Sequence, residues 1–72
     1  MNRATIYMPL LKEGTDVWRP VEAEAHSDGR YTILGSVPDG EQWAFSPGSI
    51  VRCETRVLSD GRQAIVASPI PL

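Results

Sequence analysis

Apolar and polar residues alternate in several short stretches of this 72-residue chain. Ala4, Ile6 and Met8 are separated by polar or aromatic residues, and Val21 and Ala23 continue the same spacing further along. A period of two is typical of a β-strand with one buried face. Turn-forming pairs separate the stretches, at Glu13-Gly14, Asp28-Gly29, Pro38-Asp39-Gly40, Pro47-Gly48 and Asp60-Gly61. The pattern therefore predicts a small all-β domain.

Six strands are predicted, over residues 4–8, 17–25, 30–37, 42–45, 50–58 and 62–67, with a polar loop at 10–16. Residues 20–26 also contain good helix formers, but they would make barely two turns and their apolar spacing favours a strand. Pro20 cannot donate to a ladder and marks an edge or a bulge. A bulge near Arg19-Pro20 would turn Trp18 and Val21 to the same side.

Matching of apolar faces predicts the hairpin registers. A three-residue loop at 27–29, with Gly29 left-handed, pairs Tyr31 with Ala25 and Ile33 with Ala23. A tight type I′ turn at Asp60-Gly61 would pair Val57 with Ala64 and Thr55 with Val66. Pro47-Gly48 suits the centre of a type II turn.

The longest predicted strand has two distinct faces. One face is apolar, and the other, the solvent face, carries Arg52, Glu54 and Arg56 near Ile50, Leu58 and Ile65, a composition that resembles interfaces. The apolar face is formed by Val51, Cys53, Thr55 and Val57. Five to six short antiparallel strands in one domain, residues 1–68, most simply make an SH3-like barrel, followed by an extended proline-containing tail at 69–72.

Composition narrows the functional classes. The net charge of −2, with six Arg and one Lys, argues against nucleic-acid binding, which usually requires a basic patch. One Cys and one His exclude an intrachain disulfide and a four-ligand zinc site, and no cofactor or metal is expected. No stretch reaches the ~20 apolar residues of a membrane helix. Without an export signal, and with a single cysteine, we expect a complete cytoplasmic protein with no membrane contact.

Candidate catalytic groups are weak, so no enzymatic activity is expected. His26, Ser27 and Asp28 are consecutive and cannot converge as a triad. Glu22 and Glu24 share a strand face roughly 6.5–7 Å apart, with no sign of a cleft. Cys53 is expected to be a small buried hydrophobe, since a reactive thiolate needs a cationic, partly exposed site.

Aromatic and arginine side chains remain as binding candidates. The rings of Tyr7, Trp18, Tyr31, Trp43 and Phe45 either fill the core or form a partly exposed platform. We take Trp18, Trp43 and Tyr7, with Arg52 and Arg56, as candidate binding residues. The predicted function is a non-catalytic module that binds an unknown protein or itself. The alternative is weak RNA or single-stranded DNA binding through an arginine and aromatic face.

Two segments carry a resemblance to a known group. Residues 13–23 read E-G-T-D-V-W-R-P-V-E-A and residues 43–54 read W-A-F-S-P-G-S-I-V-R-C-E. The chain resembles, over roughly residues 5–55, short bacterial proteins of unknown function with an E-G-T-x-V-W-R-P-V element and a later W-x-F-x-P-G-x-x-V-x-C/A segment. The resemblance implies an SH3-like small barrel and carries no site residues.

Overall fold

The computed structural model describes residues 2–14, 17–58 and 60–70, in which the chain forms five strands and no helix. The strands are β1 (Asn2–Pro9), β2 (Trp18–Ala25), β3 (Tyr31–Ile33), β4 (Ile50–Val57) and β5 (Gln63–Ser68). Sequential neighbours pair antiparallel, and a parallel contact between Tyr7 and Val66 closes β1 onto β5. The all-β prediction is confirmed, and the barrel is consistent with an SH3-like small barrel. Positions 15–16 of the predicted loop and 71–72 of the predicted tail lie outside the described residues.

The core lies on the inner faces of the strands. Its most deeply buried side chains are Ile6, Met8, Ala23, Ile33 and Val51, each at most 1% exposed. The predicted inner faces of the first two strands are confirmed. Residues 20–25 are strand, so the alternative helix over 20–26 is wrong.

Among the described residues, Pro20 has no strand partner on the side of β2 that faces away from β1, so the predicted edge position is confirmed. The predicted bulge is absent from the described β1–β2 ladder. The register of that ladder is unbroken from Asn2↔Ala25 to Pro9↔Trp18. Leu10 N–H donates to Val17 C=O at 2.9 Å, so by alternation Pro20 forms a non-hydrogen-bonded pair with Tyr7. Its missing N–H therefore faces away from β1. No bulge rotates the strand, and Trp18 points to the outer side, opposite to Val21.

The first hairpin matches its prediction. Ala25 pairs with Tyr31 and Ala23 with Ile33. His26 N–H donates to Arg30 C=O at 2.9 Å across the three-residue loop, and Gly29 has φ +85°.

The second hairpin differs from its prediction by one residue. Val57 pairs with Gln63 and Thr55 with Ile65, and Leu58 N–H donates to Arg62 C=O at 2.8 Å. The loop therefore has three residues rather than the two of a type I′ turn, with Gly61 at φ +88°. The slip turns Ile65 and Ala67 inward and Val66 outward.

The far half of β4 extends beyond the core. Val51 is buried and Cys53 is half-buried, but Thr55 and Val57 are exposed, so the predicted apolar face is correct only in its first half. Leu58 is buried rather than part of the solvent face.

Residues 34–49 form a loop rather than strands. The third strand ends at Ile33, not at 37, and the predicted strand at 42–45 is reduced to a single bridge between Leu10 and Trp43. The predicted turn at Pro47-Gly48 is confirmed by a 3.1 Å bond from Ser49 N–H to Ser46 C=O and φ +87° at Gly48. The loop packs its Trp43, Ala44 and Phe45 against the core.

Candidate interaction surface

The outward side chains of β2, β1, β5 and β4 form a continuous surface, which we call the outer wall. Strand pairing places Pro20 beside Tyr7, Tyr7 beside Val66 and Val66 beside Glu54. The adjacent row on one side holds Trp18, paired with Pro9, and Arg52, paired with Ser68. The wall thus passes from aromatic and proline side chains on β1 and β2 to charged side chains on β4.

An open depression of about 310 Å³ lies in the outer wall. Pro9 and Phe45 line one side of it, and Glu54 and Arg56 line the other. Val66, which is 3% exposed yet lies outside the core cluster, also lines it. The depression exists because the outward residues of β5 are short, whereas those of β4 are long.

Tyr7 and Trp18, both half-buried, belong to the outer wall as candidate binding residues. Trp43 does not: its ring packs against the core, and its Nε1–H donates to Glu41 Oε1 at 3.0 Å. Glu41 Oε2 also accepts from Arg19 Nε at 3.0 Å. Through Glu41, the 34–49 loop is therefore fastened to β2, and Trp43 is partly buried against the core.

Ion pairs neutralise most of the cationic side chains. Among the described residues, five of the six arginines lie 2.6 to 3.3 Å from a carboxylate oxygen. The pairs are Arg3–Glu22, Arg19–Glu41, Arg30–Asp28, Arg56–Glu54 and Arg62–Asp60. Arg52 has no carboxylate partner within that part of the chain; its guanidinium lies over the first turn, 3.7 Å from where a Cβ on Gly29 would be.

The Asp60–Arg62 pair holds the second turn. Arg62 N–H donates to Asp60 Oδ1 at 3.1 Å, and this backbone bond is the main reason why the pKa of Asp60 lies below its ordinary value. The side-chain bond to Asp60 raises the pKa of Arg62. Both side chains are exposed, so solvent screens the pair and its contribution to stability is small.

Among the described residues, His26, Asp28 and Glu22 each contact a different partner and do not converge. His26 Nε2 lies 2.6 Å from Thr32 Oγ1, while Asp28 accepts from Arg30 N–H at 3.1 Å. Glu22 is bound to Arg3 in solvent. Burial raises the pKa of the Cys53 thiol to about 11, which leaves it protonated near neutral pH.

The second depression in the surface lacks the aromatic and charged side chains that line the first. A second open depression of about 420 Å³ is lined by Asn2, Ala25, His26 and Ser27, with no large apolar side chain. The described residues contain no group of three side chains that could hold a metal ion. Over the same ranges, no helix is long and apolar enough to cross a bilayer.

Phe45 is among the rings considered for the core or a platform but not among the candidate binding residues, and Val66 is in neither set. The predicted two-residue turn of the second hairpin points Val66 inward, whereas the observed register points it outward. The Asp-Gly pair of the first turn recurs in the second, and a three-residue loop at both turns is what places Val66 on the outer wall.

Comparison of the chain with models of protein families, with curated proteins and with solved structures finds no significant match. The resemblance through residues 13–23 and 43–54 stays a prediction.

Proposed function

We propose that this chain is a non-catalytic binding module that associates, through its outer wall, with another protein or with a second copy of itself. One observation carries the proposal: a depression with Pro9 and Phe45 on one side and the Arg56–Glu54 pair on the other. Aromatic residues and arginine are the types enriched where protein interfaces concentrate their binding energy.

The lining of the depression indicates the chemistry of the bound segment. An apolar side chain would contact Phe45 and Val66, and a carboxylate or amide beside it would accept from Arg56. We propose that this association takes place in a reducing cytoplasm, in keeping with a single cysteine in the sequence.

Affinity capture from the native cell with outer-wall variants tests the proposal. We expect a discrete partner that is lost with Trp18→Ser and with Arg56→Gln, because each removes a different part of the wall. Leu11→Ser is the matched control, since Leu11 is an exposed apolar residue in the loop after β1. Circular dichroism establishes that every variant remains folded.

Equal capture by all variants would place the interface elsewhere on the molecule. Turnover of a small-molecule substrate by the purified chain would overturn the non-catalytic assignment.

A further inference from the structure

Within residues 2–14, 17–58 and 60–70, most of β4 has a free edge on the side away from β5. β3 pairs with only Ile50 and Val51, whereas β4 continues for six more residues, all paired with β5. Val57 in this extension is 65% exposed. A strand edge of this length offers a row of backbone donors and acceptors for another strand.

Hydrogen-bond alternation determines which residues face the free edge. Leu58 N–H donates to Arg62 C=O, so the even-numbered residues of β4 point their backbone groups toward β5. Ile33 N–H donates to Ser49 C=O, so the odd-numbered residues point the other way. The backbone groups of Cys53, Thr55 and Val57 therefore face outward, and within the described chain the ladder gives them no partner.

We propose that a second copy of this chain pairs antiparallel along this edge, with the two-fold axis at Thr55. The proposal rests on the self-association form of the proposed function and names its interface. Thr55 then pairs with the partner's Thr55, and Cys53 pairs with the partner's Val57. Both are odd-to-odd pairs, in which outward-facing backbone groups meet their equivalents.

The charges of Glu54 and Arg56 favour this register over the registers shifted by two residues. With the axis at Thr55, Glu54 lies opposite the partner's Arg56, and Arg56 lies opposite the partner's Glu54. These are non-hydrogen-bonded pairs, in which side chains approach most closely. Sliding the partner by two residues in either direction sets Glu54 against the partner's Glu54, or Arg56 against the partner's Arg56.

The other face of the paired edge agrees with the same register. It sets two threonines side by side and covers the exposed Val57 with the partner's Cys53. Pairs of β-branched and apolar residues stabilise antiparallel strands. A single alignment therefore matches backbone groups, charges and apolar side chains.

Sedimentation equilibrium of the purified chain, from about 10 µM to about 1 mM, tests the interface. We expect a dimer of the 7.9 kDa chain at the upper concentrations. Glu54→Arg or Arg56→Glu alone should weaken dimerisation by about tenfold or more, because two pairs of like charges would then face each other. The double variant E54R/R56E should restore it, since opposite charges meet again.

Arg3→Glu is the matched control, an exposed charge reversal on β1 that should leave the dimer intact. A backbone test uses Thr55→Pro, which removes the N–H facing the free edge while the β4–β5 bonds remain. Thr55→Val keeps that N–H and should still dimerise. Circular dichroism of each variant separates loss of dimer from loss of fold.

A wild-type chain that stays monomeric throughout, or a double variant as weak as the single ones, would overturn edge pairing. Dissociation by Trp18→Ser alone would move the interface to the outer wall, which supports the proposed function and rejects this inference. Dimerisation that survives Trp18→Ser and follows the charge pattern supports the edge, even if no other protein binds the outer wall.

Discussion

Glu41 has a larger structural role than its position in a loop suggests. Its two carboxylate oxygens accept from Trp43 and from Arg19, each at 3.0 Å, and its side chain is 20% exposed. By contrast, Glu22 forms one ion pair with Arg3, in which the side chains are 65% and 72% exposed. A partly buried carboxylate with two donors should stabilise the fold more than a solvated one.

We expect Glu41→Ala to lower the free energy of unfolding by about 1–2 kcal/mol, because it leaves the indole N–H and the guanidinium without an acceptor. Glu22→Ala should cost less than about 0.5 kcal/mol, since solvent already screens its pair. Urea denaturation of the two variants measures both values. Equal losses would show that Glu41 does not fasten the loop.

Such partnerships are hard to predict from sequence. From sequence alone Trp43 is a binding candidate, because a tryptophan in a small domain suits either the core or an exposed platform. The choice depends on whether a loop folds over the barrel end and supplies an acceptor for the indole N–H. That acceptor is Glu41, two residues away, and alternation of apolar residues gives no sign of it.

At the scale of elements, the two three-residue hairpins share the tetrapeptide Ser-Asp-Gly-Arg, at 27–30 and 59–62. In both, the aspartate accepts from the arginine N–H at 3.1 Å, and the glycine has a positive φ. Face matching predicted the first register correctly, since both strands there lie over the core. Face matching gives the wrong register for the second hairpin. Thr55 and Val57 lie beyond the core and are both exposed, so their polarity does not indicate which face of β4 points inward.

Substituting the turn glycines tests this shared geometry. A Cβ at Gly61 would meet nothing within 4 Å, and one at Gly29 would only touch the Arg52 guanidinium at 3.7 Å. Any loss of stability is therefore due to backbone conformation. Gly29→Ala and Gly61→Ala should each cost about 1–2 kcal/mol, the penalty of a left-handed residue with a Cβ.

Thermal unfolding monitored by circular dichroism measures both losses. Gly→Asn at the same positions is the control and should cost less, because asparagine adopts this conformation more readily. Alanine variants as stable as the wild type would mean that the turns do not require left-handed glycine.

At the scale of the molecule, the fold class was predictable and the surface was not. Strand spacing and turn residues specify a short-stranded barrel almost by themselves, since a chain of this size buries only roughly 60% of its unfolded surface and needs closure. The surface depends on a one-residue register, on where a loop packs and on which charges pair. The register, the loop packing and the charge pairing do not produce a periodic pattern of apolar and polar residues in the sequence.

The distribution of charge over the whole barrel also predicts how it behaves toward nucleic acids. Five arginines are paired within the described chain, and the net charge is −2. Binding to RNA or single-stranded DNA draws its free energy from counterions released by free cations. Opening each internal pair would cost part of that gain, and Arg52 and Lys12, which form no ion pair with another described residue, offer little.

We therefore expect no saturable binding of a fluorescently labelled single-stranded RNA or DNA below about 100 µM protein in fluorescence anisotropy at low salt. Weak binding through Arg52 alone would show a slope of log K against log salt of about −0.7, and Arg52→Gln would abolish it. A slope several times steeper would mean that the ion pairs open on contact with phosphate. The outer wall would then serve the nucleic-acid alternative, because Arg56 would be free to bind phosphate instead of Glu54.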